Sequence, residues 1–121
     1  MITQLKMAGI PVENAERAMA FYTEQLGFSI ATDQVMPDGK RWIELRIGRS
    51  PTRLVLFTPE GHEDRIGSFF NGSFDCDDVE ATHRQLTARG VTFVEGPVRQ
   101  PWGAYAKLQD SEGNTLVISS R

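Results

Sequence analysis

Val12-Glu13-Asn14-Ala15-Glu16-Arg17-Ala18, leading to Gln25-Leu26-Gly27-Phe28, is answered half a chain later by Cys76-Asp77-Asp78-Val79-Glu80-Ala81-Thr82, leading to Ala88-Arg89-Gly90-Val91-Thr92-Phe93. Both stretches carry the same signals in the same order. An alternating apolar run ends, an amide or acidic residue stands ready to cap a helix, an amphipathic segment follows, a glycine stops it, and a new strand-like run begins. Farther on, Leu54-Val55-Leu56 in the first half is matched by Leu116-Val117-Ile118 in the second. The offset stays at about 62–64 residues, which marks an internal repeat. Repeat units of about 1–60 and 67–121 are expected within one domain spanning 1–121.

Residues about 3–12 read as a strand, with Leu5, Met7 and Gly9 alternating against Ala8, Ile10 and Val12. Asn14 is fit to cap the helix that follows, because its side-chain oxygen can accept from the free amides of the first turn. Ala15, Ala18, Met19, Tyr22 and Leu26 fall on one helical face, and Gly27 ends the helix. Three strands are expected at about 28–35, 41–48 and 52–58, split by Pro37-Asp38-Gly39 and Gly48-Arg49-Ser50-Pro51. Residues 59–68 are polar and aperiodic and read as a linker. The second half repeats the order: a strand at about 69–76, Asp78 as cap, a helix at about 79–89, Gly90 as stop, then strands at about 91–96, 103–109 and 114–120. Gly96-Pro97 is read as the start of a loop, and Asp110-Ser111-Glu112-Gly113-Asn114 as a hairpin turn. Eight strands stand against two helices, so the fold class is α+β, two tandem βαβββ units.

Composition narrows the partners. The 121 residues are 40% hydrophobic and 24% charged, with a net charge of −3, which is a globular balance. No Lys/Arg cluster suggests nucleic acid. No apolar run approaches the ~18 residues of a membrane span, and no leader peptide is expected, because Met1 runs directly into an alternating segment. The single cysteine, Cys76, excludes a disulfide within the chain and any all-cysteine metal cage. These features point to the cytoplasm.

Three stretches resemble the vicinal oxygen chelate superfamily, which joins glyoxalases, bleomycin resistance proteins and extradiol dioxygenases. They are Ile10-Pro11-Val12-Glu13-Asn14-Ala15 through Phe21-Tyr22 and Leu26-Gly27-Phe28; Cys76-Asp77-Asp78-Val79 through Ala88-Arg89-Gly90-Val91; and Pro101-Trp102-Gly103 with Asp110-Ser111-Glu112-Gly113-Asn114. The resemblance implies two bent mixed sheets around a cleft, and in many members a divalent metal held by His and Glu from four strands. Those four positions fall here on Met7, Val55, Asn71 and Val117. None is an ordinary ligand for zinc, nickel, manganese or iron(II), so no metal and no cofactor is expected. His62 in the acidic linker and His83 in mid-helix are too few and too scattered to rebuild the set.

If Met7, Val55, Asn71 and Val117 point into the cleft, period-two alternation brings Leu5, Gly9, Phe57, Ser73, Asp75 and Ser119 with them. Trp42, Glu44 and Arg46 share one side of the third strand, opposite Ile43, Leu45 and Ile47. The ligand-binding candidates are therefore Met7, Trp42, Glu44, Arg46, Val55, Phe57, Asn71, Ser73, Trp102 and Val117, with Glu44 and Asp75 as the candidate acid–base groups. Cys76 alternates onto the helix side and reads as a small buried hydrophobe. The leading expectation is a homodimer that binds a small apolar or aromatic molecule without the superfamily's metal site. The alternatives are a lactoylglutathione-lyase-like or dioxygenase-like enzyme with a relocated metal or acid–base site, and an inert structural or regulatory dimer module.

Overall fold

The computed structural model describes residues 1–120. Along the chain, β1 (Met7–Pro11), α1 (Ala15–Ala20), β2 (Ser29–Val35), β3 (Arg41–Arg46) and β4 (Arg53–Phe57) make the first unit. The second is β5 (Ser73–Asp75), α2 (Val79–Ala88), β6 (Thr92–Gln100), β7 (Gly103–Gln109) and β8 (Thr115–Ser120). The strand orders are β1-β4-β3-β2 and β5-β8-β7-β6, two four-stranded sheets of one topology. In each, the first strand runs parallel to the last and the other pairs are antiparallel.

The helix starts follow the sequence. Asn14 Oδ1 accepts from the Arg17 amide at 2.9 Å, and Asp78 Oδ1 from the Ala81 amide at 3.1 Å. Gly27 and Gly90, with φ of 80° and 88°, end the two helical segments in the left-handed region that glycine adopts most readily. A single wide turn at Phe21–Gln25 continues α1 and buries Phe21 and Tyr22.

Three expectations need correcting. The first strand begins at Met7 and not at residue 3; residues 1–6 are exposed, with the Leu5 carbonyl taking the Thr52 hydroxyl at 2.7 Å and the Lys6 carbonyl the Arg53 amide at 3.0 Å. The fifth strand begins at Ser73 and not at 69. The Phe70 ring folds back over Gly72, where an added Cβ would lie 2.3 Å from it, and this leaves Asn71 outside the strand. Gly96-Pro97 does not open a loop. β6 runs on to Gln100, and a register shift between Glu95 and Val98 absorbs the pair. Gly96 has φ 88°, and a Cβ there would meet the Tyr105 carbonyl oxygen at 2.8 Å. Within the linker, Glu63–Arg65 forms one short 3-10 turn.

Alternation gives each sheet one apolar face. Ile10, Ile43, Leu45, Leu54 and Leu56 of the first sheet are buried, as are Ala106, Leu108, Leu116 and Ile118 of the second. With Ala18, Phe21 and Tyr22 from α1 and its wide turn, and Val79 and Leu86 from α2, they form one contiguous core. Burying a side chain of this kind stabilises by about 1.5–3 kcal/mol. The two units therefore pack through their helix-bearing faces, and the opposite face of each sheet is turned outward.

Polar bonds clamp that seam at one turn. Asp110 Oδ2 accepts from the Tyr22 hydroxyl at 2.7 Å and from Asn114 Nδ2 at 2.9 Å, and Oδ1 accepts the Glu112 and Asn114 amides, both at 2.8 Å. Asn114, wholly buried, also donates to the Pro11 carbonyl at 2.8 Å. Glu112 reaches the start of α1, accepting from the Glu13 amide at 2.8 Å and from Arg17 at 2.9 Å. The hairpin turn read from the sequence is thus also one place where the second unit is fastened to the first, beside the shared core and the reciprocal Gln25–Arg89 bonds at 2.9 and 3.2 Å.

Candidate functional site

The outward faces hold the candidate residues. On the first sheet, register places Gly9, Val55 and Glu44 in one row and Met7, Arg53 and Arg46 in the next. Trp42 precedes Glu44 by one period on β3, and Phe57 follows Val55 by one period on β4. Gly9 is what admits the Phe57 ring, since a Cβ there would lie 3.0 Å from it. On the second sheet, Ser73, Val117 and Lys107 form one row and Asp75, Ser119 and Tyr105 the next. Trp102, in the turn before β7, stacks on Tyr105 with centroids 6.3 Å apart and planes 17° from parallel. The expected sidedness of β3 holds: Ile43 and Leu45 are fully buried, while Trp42 is 36% exposed. Asn71, off the strand, is exposed.

Back-to-back packing keeps Met7, Trp42, Glu44, Arg46, Val55 and Phe57 together on one face and Ser73, Asp75, Val117 and Trp102 on the other. The chain by itself does not bring the two groups into one cavity. Two open grooves border them. One, of about 830 Å³, runs along the first unit beside Trp42, Phe57, Lys40 and Glu60. The other, of about 870 Å³, lies between the two units, with Gly9, Arg53, Asn71, Ser73 and Asp75 in its wall and the exposed Leu5 and Phe69 at its rim.

Each face carries a tied carboxylate. Glu44 Oε2 accepts from Trp42 Nε1 at 2.7 Å, and Oε1 pairs with Arg53 at 2.7 Å. These two contacts, the indole first, hold the Glu44 carboxyl below the usual carboxylate range. Glu95 accepts from the Tyr105 hydroxyl and pairs with Lys107 at 3.4 Å. Its carboxyl is likewise held down, by the Tyr105 bond first, and the phenol is pushed up in return. A carboxyl acting as general acid near neutrality needs a raised pKa, and both are shifted the opposite way. Burial pushes the Cys76 thiol up, which makes it a poor nucleophile. His83 lies against Phe93 at 4.4 Å, on the helix side.

Sequence reading missed Tyr105, Glu95, Lys107 and Arg53. A signal for two of them existed. Glu44 pairs with Val55 and Lys107 with Val117, so Trp42 and Tyr105 hold the same position in the two repeats, as do Glu44 and Lys107.

Among the described residues, no group of three or more His, Cys, Asp or Glu side chains is placed to hold a metal ion. Of the four positions the resemblance assigns to ligands, two are valines with no donor atom, and Met7 and Asn71 complete a set that does not fit a divalent cation.

The family model described as the Glyoxalase/Bleomycin resistance protein/Dioxygenase superfamily matches residues 4–118. The chain belongs to that superfamily. Other comparisons agree with membership. The uncharacterized protein YetH of Bacillus subtilis (strain 168) is 31% identical over 121 residues, covering 98% of each chain. The crystal structure of UcmS2 superposes with a TM-score of 0.90 at 32% identity, over 98% of each chain. TnmS3, an antibiotic binding protein from Streptomyces sp. CB03234, superposes at 0.86 with 32% identity, over 98% of this chain and 96% of its own. Among the described residues of this superfamily member, no helix is long and apolar enough to cross a membrane.

Proposed function

We infer that this chain binds a small apolar or aromatic molecule by burial and stacking, without the superfamily's metal, in a site completed by a second copy of itself. One observation carries the reading: both outward faces present large aromatic rings to solvent, where the metal-binding members would present donor groups. Trp42 and Phe57 mark one face, and Trp102 on Tyr105, with Trp102 57% exposed, marks the other. Stacking on such a ring contributes about 0.5–1.5 kcal/mol beyond the area it covers. The similarity to TnmS3 supports a binding role. The depressed Glu44 carboxyl argues against Glu44 as a general acid near neutrality.

The second copy follows from the split of the residues over two faces. The first face carries Arg46 and Arg53 against Glu44, the second Asp75 and Glu95 against Lys107, so their signs are complementary. β1 and β5 are unpaired edges with exposed Leu5 and Phe69 beside them. A two-fold pairing of the first face of one chain with the second face of the other covers both. A lone Cys76 agrees with a cytoplasmic setting.

Thermal unfolding against a panel of aromatic antibiotics and quinones tests the binding. A ligand at 100 times its Kd stabilises by about 2.7 kcal/mol, a Tm rise of several degrees. Trp42→Ala and Trp102→Ala should each reduce it. No shift from any compound overturns the binding reading, and one tightly held divalent ion per chain overturns its metal-free part. Sedimentation equilibrium at micromolar concentration showing only monomer overturns the shared site.

A further inference from the structure

The two faces share a construction that the repeat did not announce. Trp42 and Tyr105 stand at the same register position of the two sheets. Each ring gives its one polar hydrogen to a carboxylate, and each carboxylate is closed off by a cation: Trp42 to Glu44 to Arg53, and Tyr105 to Glu95 to Lys107. The partners come from different strands. Arg53 lies on β4, after the aromatic strand, and Glu95 on β6, before it. The arrangement is therefore rebuilt in each half and not copied residue for residue. Each chain of three ties the ring's polar edge down to the sheet. The hydrogen-bonding capacity of the ring is spent inward, and the carboxylate's charge is matched on the spot.

We propose that Glu44 and Glu95 are positioning residues that hold Trp42 and Tyr105 as fixed plates for a flat ring of the ligand. This rests on the binding reading above and assigns the residues that pre-order its site. A ring already immobilised loses little conformational freedom when a flat partner settles on it, so the lock raises affinity without touching the ligand. Trp102, stacked on Tyr105, extends the second plate.

The test compares two substitutions at one position, using the neutral planar probe 1,4-dihydroxyanthraquinone on the full chain. Glu44→Ala removes the acceptor for the indole. Glu44→Gln keeps an acceptor oxygen and removes the charge. Glu44→Ala should weaken the probe by about three- to tenfold, the value of one immobilised side chain. Glu44→Gln should stay within about twofold of wild type, because the amide oxygen still accepts from Trp42 Nε1. The Trp42 indole N–H resonance, assigned by its loss in Trp42→Phe, should move upfield in Glu44→Ala and hold its place in Glu44→Gln. Equal losses in both variants would show that the charge meets the ligand; no loss in either would show that the lock does nothing. Both results sink the proposal while binding itself stands. A wild-type protein that binds neither this probe nor any planar compound removes the binding reading and this proposal together. Should Glu44→Ala fail to fold, Glu95→Ala against Glu95→Gln makes the same comparison on the other sheet.

Discussion

Removing one oxygen at the seam should loosen the joint between the two units by a calculable amount. In Tyr22→Phe the ring remains, stacked on Phe28 at 5.7 Å, and only the hydroxyl is lost. That hydroxyl is one of four donors to the buried Asp110 carboxylate, the others being Asn114 Nδ2 and the amides of Glu112 and Asn114. A hydrogen bond to a charged group is worth about 1.5–3 kcal/mol net. With a urea m-value of about 2 kcal/mol/M for a chain of this size, the midpoint should fall by about 1 M. Asp110→Ala strips all four donors of their acceptor and should cost more, about 3–5 kcal/mol. The same bond has a signature in base. Burial, with Asp110 beside it, pushes the Tyr22 phenol far above its ordinary value. The folded state therefore keeps this proton where the unfolded chain releases it, above about pH 10. Stability is fully present below that pH and falls by about 1.4 kcal/mol per unit above it. Tyr22→Phe should lack that component, with Tyr105 common to both proteins. A urea midpoint within about 0.2 M of wild type, or identical alkaline slopes, would refute the clamp as an energetic device.

Gly96→Ala forces a side chain into the left-handed region and against the Tyr105 carbonyl, so it should destabilise by about 2–4 kcal/mol; a urea loss below about 0.5 kcal/mol would count against the described bulge. Asn14→Ala and Asp78→Ala each remove a helix cap and should each lose about 1 kcal/mol in the same assay, while Asn14→Asp and Asp78→Ser should recover most of it.

What the sequence revealed and what it hid divide along physical lines. Periodicity reports which face of a strand is apolar, so Ile43 and Leu45 against Trp42 and Glu44 was readable, as were the caps and glycine stops of both helices. Periodicity does not report which other surface that apolar face meets. A cleft between the two units and a core between them place the same residues on the same strand faces; here a core joins the helix-bearing faces, and an open groove between the units lies beside it. The deciding contacts join Asp110, Glu112 and Asn114 to Tyr22, Arg17 and Pro11, across most of the chain, and leave no periodic trace. The place of Asn71 outside the strand was hidden for a similar reason. A strand ending at Asp75 was legible, but the Phe70 ring folding over Gly72 is a packing event with no local sequence signature. Glu95 was hidden because Gly96-Pro97 reads as chain reversal, and only the register with β7 shows the strand passing through. The paired rings that stand on the two outward faces were half legible, through Trp42 and Trp102 but not Tyr105.

If each site combines the first face of one chain with the second face of another, the angle between the two faces of a single chain decides whether both sites of a dimer can close together. The Asp110–Asn114 turn bonds across the seam between the units and so bears on that angle, which makes Glu112 a test of the shared site. Its side chain is only 1% exposed, and it holds the Glu13 amide and Arg17 of the other unit. Glu112→Ala should cost about 2–3 kcal/mol, leaving a folded protein, because each unit keeps its own sheet and the apolar core is untouched. Glu112 lies on neither outward face and touches no candidate ligand-binding side chain. A site built on one sheet alone would therefore keep its affinity for 1,4-dihydroxyanthraquinone in this variant, measured well below its Tm. A site built across two chains should weaken severalfold, and the dimer should weaken with it, since both depend on the same angle. Unchanged probe affinity together with unchanged sedimentation would confine binding to a single face and rule out the second copy as part of the site.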